Sequence, residues 1–201
     1  MKVFFKVVSL LFHPIFIPIA GTVAYFTITP KYSPLEVQGG NILPIFILTV
    51  IIPIISYLIL RNLGLVSTIY MPNLAERKYP LYINILLLFL ILYKVIPNNY
   101  TAELYFFFVG LIAASMGALL LLFLRLKASM HLMGMGSLLM YLICLSVHFE
   151  INIIIALSIL TFLSGLVASS RLYLNAHSKS ELFIGLCIGM ITQLLTVKFW
   201  L

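Results

Sequence analysis

Of 201 residues, 63% are hydrophobic and only 8% charged, whereas a soluble domain carries about a quarter charged residues to cover its surface. Twelve Lys and Arg stand against five Glu and no Asp, a net charge of +7. In a chain this apolar the basic residues mark loop topology or anionic lipid headgroups rather than nucleic acid. A soluble domain, a disordered chain and a nucleic-acid binder are excluded, and the fold class that remains is an all-α polytopic membrane helix bundle with the lipid bilayer as its outer solvent.

A membrane-crossing helix needs about 20 mostly apolar residues, and seven runs satisfy this in chain order: 7–29, 41–60, 79–96, 103–124, 131–147, 151–170 and 182–199. None alternates with a period of two, so a β-barrel does not fit. Backbone groups in lipid must be satisfied within their own segment, so each run is predicted to be a helix. The first run follows Lys2 and Lys6 and is interrupted by His13, Pro14 and Pro18. With no small-x-small cleavage signal after it, it is read as a retained span and not a signal peptide. Pro14, Pro18, Pro44 and Pro53 predict kinks in the first two runs. Gly185 and Gly189 form a small-xxx-small pair that lets helix backbones approach. Cys144 and Cys187 lie inside apolar runs and provide no disulfide framework. The chain is read as one integral membrane domain over residues 1–201, with the first two spans and their loop over 7–75 and the polar motifs over 76–201.

Seven crossings place the N-terminus and the connections 61–78, 125–130 and 171–180 on one side. Nine of the 12 basic residues fall there: Lys2, Lys6, Arg61, Arg77, Lys78, Arg125, Lys127, Arg171 and Lys179. Lys31, Lys94 and Lys198 fall on the other side. By the positive-inside rule the first side is cytoplasmic.

Charge bias alone does not account for three polar clusters where helices meet that side. They are Glu76-Arg77-Lys78-Tyr79-Pro80, Ser129-Met130-His131, and Ser170-Arg171 followed by His177 and Glu181. Successive clusters are separated by two spans, so parity places all three at one end of the bundle. Arg77, Lys78 and Arg171 supply cations, and guanidinium forks match phosphate oxygens. Ser129 adds a neutral donor, and helix N-termini near Ser129 and Ser178 favour an anion. A neutral imidazole can attack phosphorus while another donates a proton to the leaving oxygen. His177 and Glu181 are four apart on one helical face, so the carboxylate can hold the Nδ1 proton and leave Nε2 free. The same residues admit plainer readings: Arg77 and Lys78 as a solvated loop, His131 as a core histidine, and Ser178 with Glu181 as a helix-capping box. His13 and His148, without sequence neighbours of this kind, are read as structural. A metal site on His131, His177 and Glu181 has suitable spacing, but the surrounding cations favour an anion.

At these residues the chain resembles the type 2 phosphatidic acid phosphatase superfamily, which shares a core with vanadium haloperoxidases. The third signature of that superfamily, Ser-Arg, five residues, His, three residues, acid, reads here Ser170-Arg171-LYLNA-His177-SKS-Glu181. The second, Pro-Ser-Gly-His, is echoed by Ala128-Ser129-Met130-His131, and the first, Lys-x6-Arg-Pro, by Arg77-Lys78-Tyr79-Pro80. The resemblance, to short bacterial membrane members, implies a six-helix catalytic core, a bacterial cytoplasmic membrane location, no metal or other cofactor, and hydrolysis of a lipid phosphate or polyprenyl diphosphate. His177 would form a phosphohistidine, His131 would protonate the leaving group, Glu181 would orient His177, and Arg171, Ser129 and Arg77 would hold the phosphoryl oxygens, with Lys78 standing in for the signature lysine.

Three positions depart from the pattern. Glu181 is one methylene longer than the family Asp, Met130 replaces a Gly, and Tyr70 stands where the first-signature Lys is expected. These departures carry the alternative of a catalytically silent relative that binds lipid headgroups or serves as a scaffold subunit. Many membrane members place the site outside the cytoplasm, against the charge bias here, so the side it faces is left open. So is the choice between a homo-oligomer and a larger membrane complex.

Overall fold

Prolines shape the first two passes. The computed structural model describes residues 1–68, 71, 73–96 and 101–200. Its first pass is α1 (Lys2–Leu11), a short 3₁₀ turn over Pro14–Phe16, and α2 (Ile17–Ile28). The helix breaks where Pro14 lacks the N–H that would continue the ladder, and the His13 ring caps the turn by accepting the Ile15 N–H at 3.4 Å. The second pass is α3 (Leu35–Phe46), a π turn over Ile47–Ile51, and α4 (Ile52–Asn62). The remaining passes are α5 (Leu74–Lys94), α6 (Ala102–Phe123), α7 (Met130–His148), α8 (Ile154–Tyr173) and α9 (Lys179–Val197).

The all-α membrane bundle expected from composition is what the chain forms. Among the described residues, six helical segments are long and apolar enough to cross a membrane. Helix α5, third in chain order after the first two passes, begins five residues before its apolar run, which brings Glu76, Arg77 and Lys78 into the helix. The second pass likewise starts at Leu35 and not near Asn41, with Glu36 in its first turn, where a carboxylate complements the helix dipole. The outer surface is hydrocarbon: Ile155, Phe162, Phe183 and Leu86 are each at least 67% exposed. A surface this apolar requires lipid around it.

Helix α7 sits in the middle, touching α2, α6, α8 and α9. Residues 131–138 are all buried. Its tightest partner is α9. A Cβ added at Gly189 would stand 2.0 Å from the Met133 carbonyl oxygen, and one at Gly185 would stand 2.4 Å from that of Ser129. The two backbones therefore touch through their glycines, and the Ser129 N–H donates to the Glu181 carbonyl at 3.0 Å across the seam. Helix α5 packs on α6, and α1 lies along α8. Phe107 and Tyr141 stack at 4.3 Å between ring centroids in the central core.

At the end of the bundle remote from α9's start, Glu103 is buried and gathers cations and donors. Lys31 pairs with its carboxylate, the Tyr25 hydroxyl donates to it at 3.2 Å, and His148 Nε2 lies 3.6 Å away. This cluster ties the end of the first pass to α6 and α7.

Two stability outcomes follow, both read by thermal unfolding in detergent. Gly189→Ala drives a methyl group into backbone and is expected to cost about 1–3 kcal/mol, whereas Gly165→Ala, with open space around its Cβ, is expected to leave the midpoint unchanged or raise it. Equal midpoints for the two variants would refute the close seam. Glu103→Gln keeps the shape and removes the charge; Lys31 is 44% exposed at its side chain and can return to water, so a loss of about 1–2 kcal/mol is expected. The exposed Glu36 serves as the control position.

Candidate functional site

One cavity of about 440 Å³ opens between α1, α5, α7 and the α8–α9 connection. Its polar end carries Lys6, His13, Arg77, His131, Arg171 and His177. Its interior is mostly hydrocarbon, lined by residues such as Leu81, Leu88, Leu111, Ala114 and Met133, with Asn84, Ser115 and Ser137 as the polar residues among them. The spacing on each helix explains the grouping. Arg77, Leu81 and Leu88 are separated by four and seven residues along one face of α5, and His131 and Gly134 by three along α7.

His177 and Glu181 pair directly, one helical turn apart. Ser178 caps α9 by accepting the Glu181 N–H at 3.3 Å, and the Glu181 carboxylate accepts the Ser178 N–H at 3.3 Å, the reciprocal arrangement of a capping box. The same carboxylate oxygen stands 2.7 Å from His177 Nδ1. Capping and imidazole orientation are thus performed by one Glu side chain. With the Nδ1 proton held by the carboxylate, the neutral ring presents its lone pair at Nε2. The His177 side chain is only 5% exposed. Burial holds its proton affinity below the ordinary imidazole value; the Glu181 hydrogen bond opposes this, while the Arg171 and Arg77 charges reinforce it.

The two arginines reach the cavity from different helices. Arg171, in the last turn of α8, donates from Nη1 to the Ser9 hydroxyl at 2.6 Å. Arg77 is anchored by Nε to the Met71 carbonyl at 2.9 Å. His131 approaches the same serine: its Nε2 lies 3.0 Å from the Ser9 carbonyl oxygen. The His13 ring stands edge-on to the His131 ring at 5.3 Å.

Two expected phosphate ligands are elsewhere. Ser129 is fully buried, and its hydroxyl caps α7 by accepting the Leu132 N–H at 3.5 Å. Lys78 turns away from the cavity and places its ammonium 4.9 Å from the centre of the Phe123 ring. Adjacent residues on a helix diverge by about 100°, and here Arg77 takes the cavity side while Lys78 takes the α6 side. Tyr70 lies outside the described residues. Conversely, α1 supplies Lys6 and Ser9 and the break after it supplies His13, which sequence reasoning did not gather; their spacings of three, four and seven were the available signal. His148 belongs to the Glu103 cluster, not to this cavity. Among the described residues, no three His, Cys, Asp or Glu side chains form a group able to hold a metal ion.

A proton-binding outcome follows. The folded value for His177 lies below that of the unfolded chain, so the unfolded chain takes up the proton first on acidification. The stability contributed by the neutral ring is therefore lost as the pH falls below about 6.5. Glu181→Gln removes an interaction that favours the protonated ring, so the His177 midpoint is expected to move lower still. Histidine-ring NMR titration in micelles checks this; a midpoint that rises in the variant contradicts the arrangement.

Comparison of the chain with protein-family models, with curated proteins and with solved structures gives no match.

Proposed function

We propose that this chain is a membrane lipid phosphatase of a bacterial cytoplasmic membrane that works through a phosphohistidine and without a metal ion. One observation carries the reading: a single cavity joins a carboxylate-oriented imidazole and two guanidinium groups at its polar end to a mostly hydrocarbon interior. A lipid phosphate has the same division, a charged head on an apolar chain. A divalent cation would be repelled by Lys6, Arg77 and Arg171, whereas phosphoryl oxygens are their natural partners.

In this reading the Nε2 lone pair of His177 attacks phosphorus while the ester bond to the lipid oxygen breaks. The oxygen leaves with the bond's electron pair and takes a proton from a second imidazole in the wall. Arg77 and Arg171 hold the non-bridging oxygens, where charge develops in the transition state. Glu181 stabilises the positive charge that forms on the ring. Water then attacks the phosphohistidine, its proton returns to the second imidazole, and phosphate departs. Met130 lines the same wall, so the position that differs from the family glycine borders the cavity and is compatible with a phosphate approached from the α1 side.

A catalytically silent headgroup binder is the second reading. It is favoured by one observation, the engagement of His131 Nε2 with the Ser9 carbonyl.

Purified protein in detergent with chelator is expected to release phosphate from phosphatidic acid or a polyprenyl diphosphate. His177→Asn is expected to lower the rate by about 10³-fold or more. Acid-labile phosphate trapped on His177 would eliminate the silent reading. Turnover of neither lipid class, or an unchanged rate in His177→Asn, would eliminate the phosphatase.

A further inference from the structure

Beyond its polar end the cavity is lined mainly by carbon, and two polar side chains meet within that stretch. Asn84 of α5 donates from Nδ2 to the Ser115 hydroxyl of α6 at 3.1 Å, and both residues line the cavity. Asn84 shares a face of α5 with Leu81 and Leu88. It stands seven residues beyond Arg77, about 10 Å further along the helix. Ser115 is buried. The hydrogen-bonding capacity of the pair exceeds the single bond between them, since an amide carries two N–H donors and a hydroxyl one O–H. With the bond running from Asn84 to Ser115, one amide proton and the hydroxyl proton remain. With the amide turned and the hydroxyl donating to it, both amide protons remain. Either way two donors are left over, and no acceptor for them is found among the described residues. The neighbouring Ser137 differs, because its hydroxyl donates to the Gly189 carbonyl at 3.4 Å. Unmet donors in a hydrocarbon wall are costly, so a guest that accepts hydrogen bonds at this depth is favoured over one that cannot.

We propose that Asn84 and Ser115 form a carbonyl-recognition site inside the cavity, and that the lipid they select is an acyl ester of a glycerol phosphate and not a polyprenyl diphosphate. The inference rests on the phosphatase reading above and narrows its substrate class. Surplus donors without formal charge match a neutral acceptor, and an ester carbonyl oxygen only accepts. In an acylated glycerol phosphate the ester carbonyls lie between the phosphate and the hydrocarbon tails. Arg77, Asn84 and Leu88 follow one another along α5 in that same order. A polyprenyl chain carries no hydrogen-bonding atom beyond its phosphates, so it leaves both donors unmet. A site built around a hydrogen bond rejects a ligand lacking the partner far more strongly than an apolar pocket rejects an extra methylene. Asn84 and Ser115 are thus specificity residues that touch the lipid away from phosphorus.

Two phosphatidic acids with matched tails separate recognition from a merely structural contact between α5 and α6. One is the diacyl ester; the other is its dialkyl ether analogue, which keeps phosphate, glycerol and tails but lacks both carbonyls. Full-length protein in mixed micelles with chelator is expected to favour the diacyl lipid by about tenfold in kcat/KM. Asn84→Leu, similar in shape and without donors, is expected to bring that preference to about one through a higher KM for the diacyl lipid. Ser115→Ala removes a single donor and is expected to leave a preference of about threefold; it gives the second variant should the first fail to fold. A structural contact would lower the turnover of both lipids alike and keep their ratio. Equal turnover of the two lipids by wild-type protein, or an unchanged ratio in the variants that fold, overturns the assignment while the phosphatase stands. Preference of the wild-type protein for a polyprenyl diphosphate over the diacyl lipid does the same. Wild-type protein inactive on all three lipids removes the phosphatase reading and this assignment together.

Discussion

The contact on which the site depends is the glycine seam between α7 and α9. With Gly185 and Gly189 lacking side chains, the α9 backbone approaches Ser129 and Met133 to distances no Cβ would allow. The seam brings the beginnings of two helices side by side, and the Ser129 N–H closes on the Glu181 carbonyl. That one bond fixes the height of His131 on α7 relative to Glu181 on α9. The capping box then fixes the Glu181 side chain, and the carboxylate fixes the His177 ring. Packing in a membrane has little hydrophobic drive between helices, so close van der Waals approach through small residues supplies the specificity. Here it also sets the chemistry.

Much of the fold was legible because lipid imposes so few solutions. Runs of about 20 apolar residues become helices, and counting crossings was enough to bring residues 77, 131, 171 and 177 to one end. The boundaries were less legible: α3 begins at Leu35 because Gly39 and Gly40 sit within it without ending it, and α5 begins at Leu74 because charged residues tolerate a first helical turn. Within the site, the pair His177 and Glu181 was readable from i, i+4 spacing alone. Ser129 and Lys78 were not assignable in the same way. A serine before a helix satisfies backbone N–H groups as readily as it meets a ligand, and Lys78 differs from Arg77 by a rotation that sequence does not display. The α1 residues were missed because their partners lie more than 120 positions away, at 131 and 171. His13 looked like an isolated histidine beside a proline, whereas its place is decided by the break that proline makes.

Charge is divided between the two ends of the bundle. At one end a buried carboxylate collects Lys31, Tyr25 and His148 and is satisfied within the protein. At the other, guanidinium and ammonium groups border the opening of the cavity, and the Glu181 carboxylate beside them is already engaged with His177 and Ser178. The first arrangement holds helices together. The second leaves positive potential in a low-dielectric wall, the condition under which an arriving anion is bound most strongly.

The cavity wall draws on residues 6–13 and on residues 171–177. During synthesis the opening stretch leaves the ribosome long before the closing one, and neither can complete the wall alone. The earliest segment must therefore wait in the bilayer for the last hairpin to be inserted before any pocket exists, so a partly made chain is already a membrane protein but holds no cavity.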